Sequence, residues 1–373
     1  MQLSAFRLIN FKNYARRDIE CPDRLTCFVG PNGVGKTNLL AAVYYLCMGK
    51  DQGGLPDSYA IRHGEDFFRL DGMFVPEPGA PVEKIVIKAG KKRRKAIERQ
   101  GVAYERLADH VGRYPVVMIV PDDIQLVHEG SETRRRLLDN TLCQTDPAYL
   151  RALLQYNQLL RQRNALLKQY DGRAMPEDLL EVYDAQMAAP VDYIYKERSM
   201  LAASLAKYVQ DTYAVLADHR ETVELNYRSQ LADRSWKELC RSRREKDRVL
   251  QRTTAGIHRD DLVFNLGGYG LRREASQGQL KSFVLALKLG QYRSLAAARS
   301  VLPILLLDDI FDKLDAQRVA RLLEFILAGE TFGQVFISDT NPERIVALVD
   351  SLPDDFTVKQ VVMGIERKDS SAE

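Results

Sequence analysis

The run Gly30-Pro31-Asn32-Gly33-Val34-Gly35-Lys36-Thr37 encloses four residues between two glycines and closes on a lysine and a hydroxyl. That spacing suits a loop whose backbone N–H groups curl around phosphate oxygens, at a helix start whose dipole adds to the attraction. Lys36 is expected to reach the β- and γ-phosphates of a nucleotide, and the Thr37 hydroxyl to ligate Mg²⁺. A chance glycine turn needs no special flanks. This one follows the apolar run Leu25-Thr26-Cys27-Phe28-Val29 and precedes a stretch from Asn38 to Cys47 without Gly or Pro, so a strand leads in and a helix leads out. Far downstream, Pro303-Ile304-Leu305-Leu306-Leu307 ends in Asp308-Asp309. The apolar run fits a buried parallel strand. A carboxylate at its end, Asp308, can hold the Mg²⁺ shell, and Asp309 can orient an attacking water. Two solvated acids after a buried strand are the bland alternative, and the phosphate loop upstream weighs against it.

Between these lies Ser276-Gln277-Gly278-Gln279, followed by the apolar helix positions Phe283, Leu285, Ala286, Leu287 and Leu289. Alone, a serine there is an ordinary helix cap. In this order it resembles the signature loop of ABC-type ATPases. The resemblance implies that Ser276 and the helix dipole grip the γ-phosphate of ATP held by a second copy, so that ATP joins two heads and hydrolysis releases them. Asp312-Lys313-Leu314-Asp315 resembles the D-loop of the same class, with Asp312 and Asp315 as its acids. Two features depart from the pattern. Ser338-Asp339-Thr340 stands where a switch histidine is expected, and Asp309 replaces the usual glutamate. Its carboxylate is one C–C bond, ~1.5 Å, nearer the backbone. Both departures point to slow hydrolysis, suited to a timer and not a pump.

The elements that must position these groups follow from periodicity. Leu3, Phe6, Leu8 and Phe11 read as a strand, as do Gly72–Val75, Ile85–Lys88, Val116–Val120, Asp261–Leu266 and Gln334–Ile337. From Tyr149 to Tyr170, and from Pro176 to Ala217 with a kink expected at Pro190, apolar residues recur at helical spacing. Two such helices make an antiparallel hairpin. The expected fold is therefore α/β: an ABC-type ATPase head, a mixed sheet with the phosphate loop, built from residues 1–120 and 255–373. A mainly helical arm, 121–254, is inserted between the two pieces. Lys368 to Glu373 reads as a frayed tail.

A net charge of +3 does not identify a nucleic-acid binder, but its distribution is uneven. Seven basic residues against two acidic ones fall between Lys91 and Arg106, and nine against four between Arg228 and Arg252. Local excesses are what a phosphate backbone needs. Lys91, Lys92, Arg93, Arg94 and Lys95 fit a hairpin on the DNA backbone, where a solvated charged turn is the alternative. Arg134 and Arg135 are further candidates. The Arg241–Lys246 stretch reads better as a paired helix face. No groove-reading module is visible, so sequence-specific binding is not expected. Five scattered cysteines, no C-x-x-C pair, no apolar run of membrane-spanning length and no secretory leader point to a cytoplasmic setting.

Taken together, the order of motifs resembles the RecF family of small SMC-like ATPases. The residues that carry it are Asn10-Phe11-Lys12-Asn13-Tyr14, Gly30 to Asn38, Pro121-Asp122-Asp123 and Arg134-Arg135-Arg136-Leu137-Leu138-Asp139. His258-Arg259-Asp260-Asp261-Leu262, Ser276 to Gln279 and Leu307-Asp308-Asp309-Ile310-Phe311-Asp312 complete it. The resemblance spans nearly the whole chain. It implies ATP and Mg²⁺ as cofactors, with Lys12 and Asn13 near the nucleotide, and an ATP-dependent homodimer on duplex DNA near gaps or single-strand junctions. It also implies RecR-type and RecO-type recombination mediators as partners, and help in loading recombinase. His258 fits either a core histidine or one close to phosphate. Two rivals are weaker. A transporter ATP-binding subunit has a far shorter separation between its Thr37 and Ser276 equivalents, and a non-hydrolysing adaptor would not need Lys36, Thr37, Asp308 and Asp309 together.

Overall fold

The computed structural model describes all residues except 22–23, 78, 171–176, 219–220, 312–315, 328–330, 351–357 and 364–373. Asp312, Asp315 and the tail thus lie outside the described residues. The chain divides into two compact units, one of residues 1–123 with 295–373 and one of residues 124–294.

The first unit opens with β1 (Gln2–Phe11), β2 (Tyr14–Glu20), β3 (Leu25–Val29) and α1 (Lys36–Met48). Next come β4 (Phe67–Val75), β5 (Glu83–Gly90), β6 (Arg93–Arg99), β7 (Val102–Ala103) and β8 (Val116–Ile119). The spacing of Leu3, Phe6, Leu8 and Phe11 is irregular for a strand, yet all four are buried. A bulge between Leu3 and Ala5 absorbs the first extra residue, and a left-handed Asn10 (φ 52°) accompanies the second. Each irregularity returns the next apolar side chain to the inner face.

The second unit carries α2 (Gln125–His128), α3 (Ser131–Thr145), α4 (Pro147–Gln169) and α5 (Glu177–Leu216). It continues with β9 (Val223–Arg228), α6 (Trp236–Leu250), β10 (Asp261–Leu266), β11 (Tyr269–Gly270), α7 (Leu271–Glu274) and α8 (Gln277–Ala298). The chain then returns with β12 (Ile304–Asp308), α9 (Ala316–Leu327), β13 (Val335–Asp339), α10 (Pro342–Asp350) and β14 (Val358–Val362).

In the first unit an antiparallel sheet, β2-β1-β4-β5-β6-β7, and a parallel one, β14-β3-β13-β12-β8, enclose α1. Every residue of β3, β12 and β13 is buried, which is why β3 and the Ile304–Leu307 part of β12 read as apolar runs. Phe11, Tyr45 and Phe68 meet edge-on in this core.

In the second unit α4 and α5 run antiparallel, and α5 stays helical through Pro190. The unit is not purely helical. β10 pairs with β9 and β11 in a small antiparallel sheet, so the strand at Asp261–Leu266 belongs here and not to the head. The downstream boundary accordingly falls at 294/295 in place of the expected 254/255, because six consecutive residue pairs tie β10 to β9.

Two buried arginines organise this unit. Arg198 donates to Asp139, Asp260 and the Ile257 carbonyl, and Arg163 donates to Asp184, Asp247 and Thr253. The His258–Asp261 segment is part of the same framework. His258 Nδ1 lies 2.6 Å from the Tyr156 hydroxyl and its Nε2 3.1 Å from the Thr253 carbonyl, so both ring nitrogens of this half-buried histidine are engaged inside the unit.

Candidate functional site

The phosphate loop joins β3 to α1. Gly33 (φ 83°) and Gly35 (φ 106°) hold left-handed conformations that L-residues rarely adopt. A Cβ on Gly35 would stand 2.5 Å from Asn13 Nδ2 and 2.6 Å from the Tyr14 hydroxyl. Glycine is therefore required twice over, by conformation and by the β1–β2 turn that closes on the loop. The Asn38 amide donates to Asn13 Oδ1 at 2.7 Å, and the Tyr14 hydroxyl reaches the Val34 carbonyl at 3.5 Å. Lys12 adopts a left-handed backbone (φ 52°), its N–H bonded to the Ala60 carbonyl and its ammonium 3.9 Å from Asp51. The irregular end of β1 thus brings Asn13 to the loop, while Lys12 faces Asp51.

Lys36 is buried, and its ammonium donates to the carbonyls of Gly30 and Pro31 at 2.7 and 2.9 Å. Its charge is held at the loop's rim. The Thr37 hydroxyl donates to Asp308 Oδ1 at 3.0 Å, and the Ser338 hydroxyl donates to the same oxygen at 2.6 Å. Burial pushes the Asp308 carboxyl up from its ordinary range, against the pull of Ser338, Thr37 and Lys36 toward the charged form. Thr37 Oγ1 and Asp308 Oδ1 are hard oxygen donors side by side. This fits Mg²⁺, which commonly takes one or two protein oxygens and completes its shell with waters and substrate phosphates. Asp309 follows with a left-handed backbone (φ 48°), its N–H bonded to the carbonyl and hydroxyl of Ser338. A non-glycine residue there is costly, by roughly 1–3 kcal/mol, and such strain concentrates at functional sites. Ser338 was legible in the sequence only as the place where a histidine is missing. Its role as the second clamp on Asp308 depends on the parallel pairing of β12 with β13, which sets Asp308 opposite Ser338.

In the second unit, Ser276 caps α8. Its hydroxyl accepts from the Gln279 N–H (3.3 Å), and Gln279 Oε1 accepts from the Ser276 N–H (2.6 Å), a reciprocal capping box. Ser276 and Gln277 are exposed, whereas Gly278 and Gln279 are half-buried.

Among the residues expected to meet DNA, Lys91 to Arg94 are exposed at the β5–β6 turn. Three others are corrected. Lys95 turns inward, 3.0 Å from Asp57 and over the Tyr45 ring. Arg134 lies against Asp261 and donates to the Leu126 and Glu129 carbonyls. Arg135 donates to the Ser131 hydroxyl and the Asp260 carbonyl. These three side chains are already engaged by internal acceptors, so they are not placed to meet phosphate.

A parallel sheet bearing a G-x-x-x-x-G-K-T loop, next to a strand ending in a buried aspartate, defines an ABC-type ATPase head. The chain is 40% identical to the DNA replication and repair protein RecF of Porphyromonas gingivalis over 98% of this chain and 99% of that one. It is 39% identical to that of Bacteroides thetaiotaomicron, over 98% of each. It belongs to the RecF family of DNA replication and repair proteins. Residues 6–186 match the AAA domain family. Among solved structures, the recombination mediator protein RecF-ATPrS of the RecFOR pathway superposes with a TM-score of 0.83 at 26% identity, over 96% of both chains. The Smc head domain of Pyrococcus furiosus, at 16% identity and a TM-score of 0.57 over 97% of this chain and 94% of that one, shares the fold. Among the described residues no helix is long and apolar enough to cross a membrane.

Proposed function

We propose that this chain is an ATP-dependent DNA-binding protein of recombinational repair and replication-fork maintenance. In this reading ATP pairs two copies into a clamp on duplex DNA near single-strand gaps, where it helps load recombinase. The observation that carries the reading is the bond from Thr37 to Asp308, which unites the phosphate loop with the acidic strand at one point. Membership of the RecF family and the likeness to RecF-ATP and RecF-ATPrS structures support it.

The loop from Gly30 to Thr37 would wrap the phosphates through backbone N–H groups, with Lys36 turning from its carbonyls to the β- and γ-phosphates. Thr37 and Asp308 would hold Mg²⁺, which when bound neutralises developing phosphate charge. Asp309 would orient the attacking water. Lys12, Asn13 and Asn38 would border the nucleotide. Ser276, with Gln277, Gly278 and Gln279, would reach the γ-phosphate from the facing copy, and Asp312 and Asp315 would line the same interface. Asp309 in place of glutamate, and the absence of His from Ser338-Asp339-Thr340, favour slow turnover, and stimulation by DNA is proposed with it. The exposed turn Lys91–Arg94 would track the DNA backbone. RecR-type and RecO-type mediators are the proposed partners, in the cytoplasm.

Sizing chromatography with ATP, Mg²⁺ and gapped duplex, run beside an ATPase assay with Lys36→Ala as control, tests the proposal. Paired wild type and a solitary, inactive variant are expected. Wild-type protein that stays monomeric at high concentration with ATP and DNA would overturn it.

A further inference from the structure

Ser276 and Gln277 of the signature loop are exposed, and what holds its shape lies elsewhere in the second unit. Gln279 uses both ends of its side-chain amide. Oε1 accepts from the Ser276 N–H and closes the capping box, while Nε2 donates to Glu221 Oε1 at 2.6 Å. The other oxygen of Glu221 accepts from the Tyr213 hydroxyl at 2.6 Å. Tyr213 is 1% exposed and sits on the last turns of α5. Three hydrogen bonds therefore connect an exposed serine to a buried tyrosine of the long arm helix.

The chemistry of the middle group matters. An amide can turn over by half a rotation, and in the reversed orientation Gln279 would present NH₂ to the Ser276 N–H, donor against donor. An ionised carboxylate accepts and cannot donate. Beside Glu221, a single amide orientation satisfies both neighbours, and that orientation keeps the capping box shut. With the box shut, the Ser276 hydroxyl accepts from the Gln279 N–H, so this bond does not use the hydroxyl's own proton. That is the donor a phosphate oxygen requires.

We infer that Glu221, anchored by Tyr213, is a positioning residue that selects the orientation of Gln279 and so presents Ser276 to the γ-phosphate of the facing copy. The inference rests on the proposed role of Ser276 in trans. It assigns Glu221 no contact with nucleotide.

The test uses the full chain and two readouts: the protein concentration at which half pairs in ATP and Mg²⁺, by sedimentation velocity, and the affinity of dilute, unpaired protein for a fluorescent ATP analogue. Glu221→Ala is expected to raise the pairing midpoint about tenfold or more, the effect of losing one charge-assisted hydrogen bond. Tyr213→Phe should give a smaller rise. Glu221→Gln should pair like wild type, because its amide oxygen can face Gln279 while its NH₂ donates to the Tyr213 oxygen. Analogue affinity of dilute protein should not change in any of them. A Glu221→Ala midpoint equal to wild type, in protein whose pairing Ser276→Ala abolishes, overturns the positioning role and leaves the proposed function standing. A loss of analogue affinity that tracks the pairing defect, or a failure of Glu221→Gln to restore pairing, overturns it as well. Ser276→Ala pairing normally with ATP would instead remove the reading on which it rests.

Discussion

The Thr37 hydroxyl and Asp308 Oδ1 lie 3.0 Å apart although 271 residues separate them in sequence. Asp308→Asn keeps the size of the side chain but replaces one acceptor oxygen by a donor NH₂. It should lower steady-state ATP turnover by about a hundredfold or more, while nucleotide held by Lys36 and the loop backbone still binds. Turnover within a factor of two of wild type would remove Asp308 from the reacting centre.

Ser338 donates to the same Asp308 oxygen at 2.6 Å and favours its charged form. Ser338→Ala withdraws that bond, so the Asp308 carboxyl, already raised by burial, should rise further. In metal-free protein the Asp308 carboxyl of Ser338→Ala should therefore titrate at higher pH than in wild type, read by NMR of a 13C-labelled aspartate. An unshifted titration would mean that Ser338 does not hold the charged form.

The exposed basic turn and the internal arginines should separate cleanly. Reversing charge at Lys92, Arg93 and Arg94 should weaken duplex binding and reduce the slope of its salt dependence by ~0.9 for each phosphate no longer neutralised. Arg134→Ala should instead lower stability, since Asp261 is left without its bidentate partner. Equal DNA affinity in the triple variant would exclude the turn, and an Arg134→Ala protein of unchanged stability would exclude the internal assignment.

Arg198 is 2% exposed and sits between Asp139 and Asp260. Removing one partner of a buried ion pair strands the other charges, at a cost of about 3–5 kcal/mol. Arg198→Ala is therefore expected to lower the free energy of urea unfolding by that amount. A shift under about 1 kcal/mol would show that water reaches the cluster.

Burial depresses His110 and His258 to about 4 each, from an ordinary value of 6.5. Both are neutral in the fold, whereas an unfolded chain takes up their protons below about 6.5. Stability should fall as pH drops from about 6.5 to about 4, by up to roughly 3 kcal/mol per histidine, and this contribution should level off below. Urea unfolding at pH 7.5 and 5 reads the difference, and His258→Gln should lessen it. Unfolding midpoints that do not move between the two pH values would contradict the depressed values of both rings.

Elements whose patterns are local can be read from residue order. The loop from Gly30 to Thr37 needs its glycines for backbone conformation, and Ile304–Leu307 is apolar throughout because both faces of its strand are covered. Hence the fold class, the phosphate loop and the acidic strand were legible as residue types at fixed spacings. Where charges end depends on folding. Lys95, Arg134 and Arg135 read as free cations, yet each meets an acceptor supplied by a distant segment. Likewise β10 looked like a head strand until its ladder to β9 placed it in the second unit. Ser338 became a clamp only through the pairing of β12 with β13. The reason is common to all three: backbone preference is written within a few residues, whereas desolvation and hydrogen bonding depend on which partners the folded chain brings together.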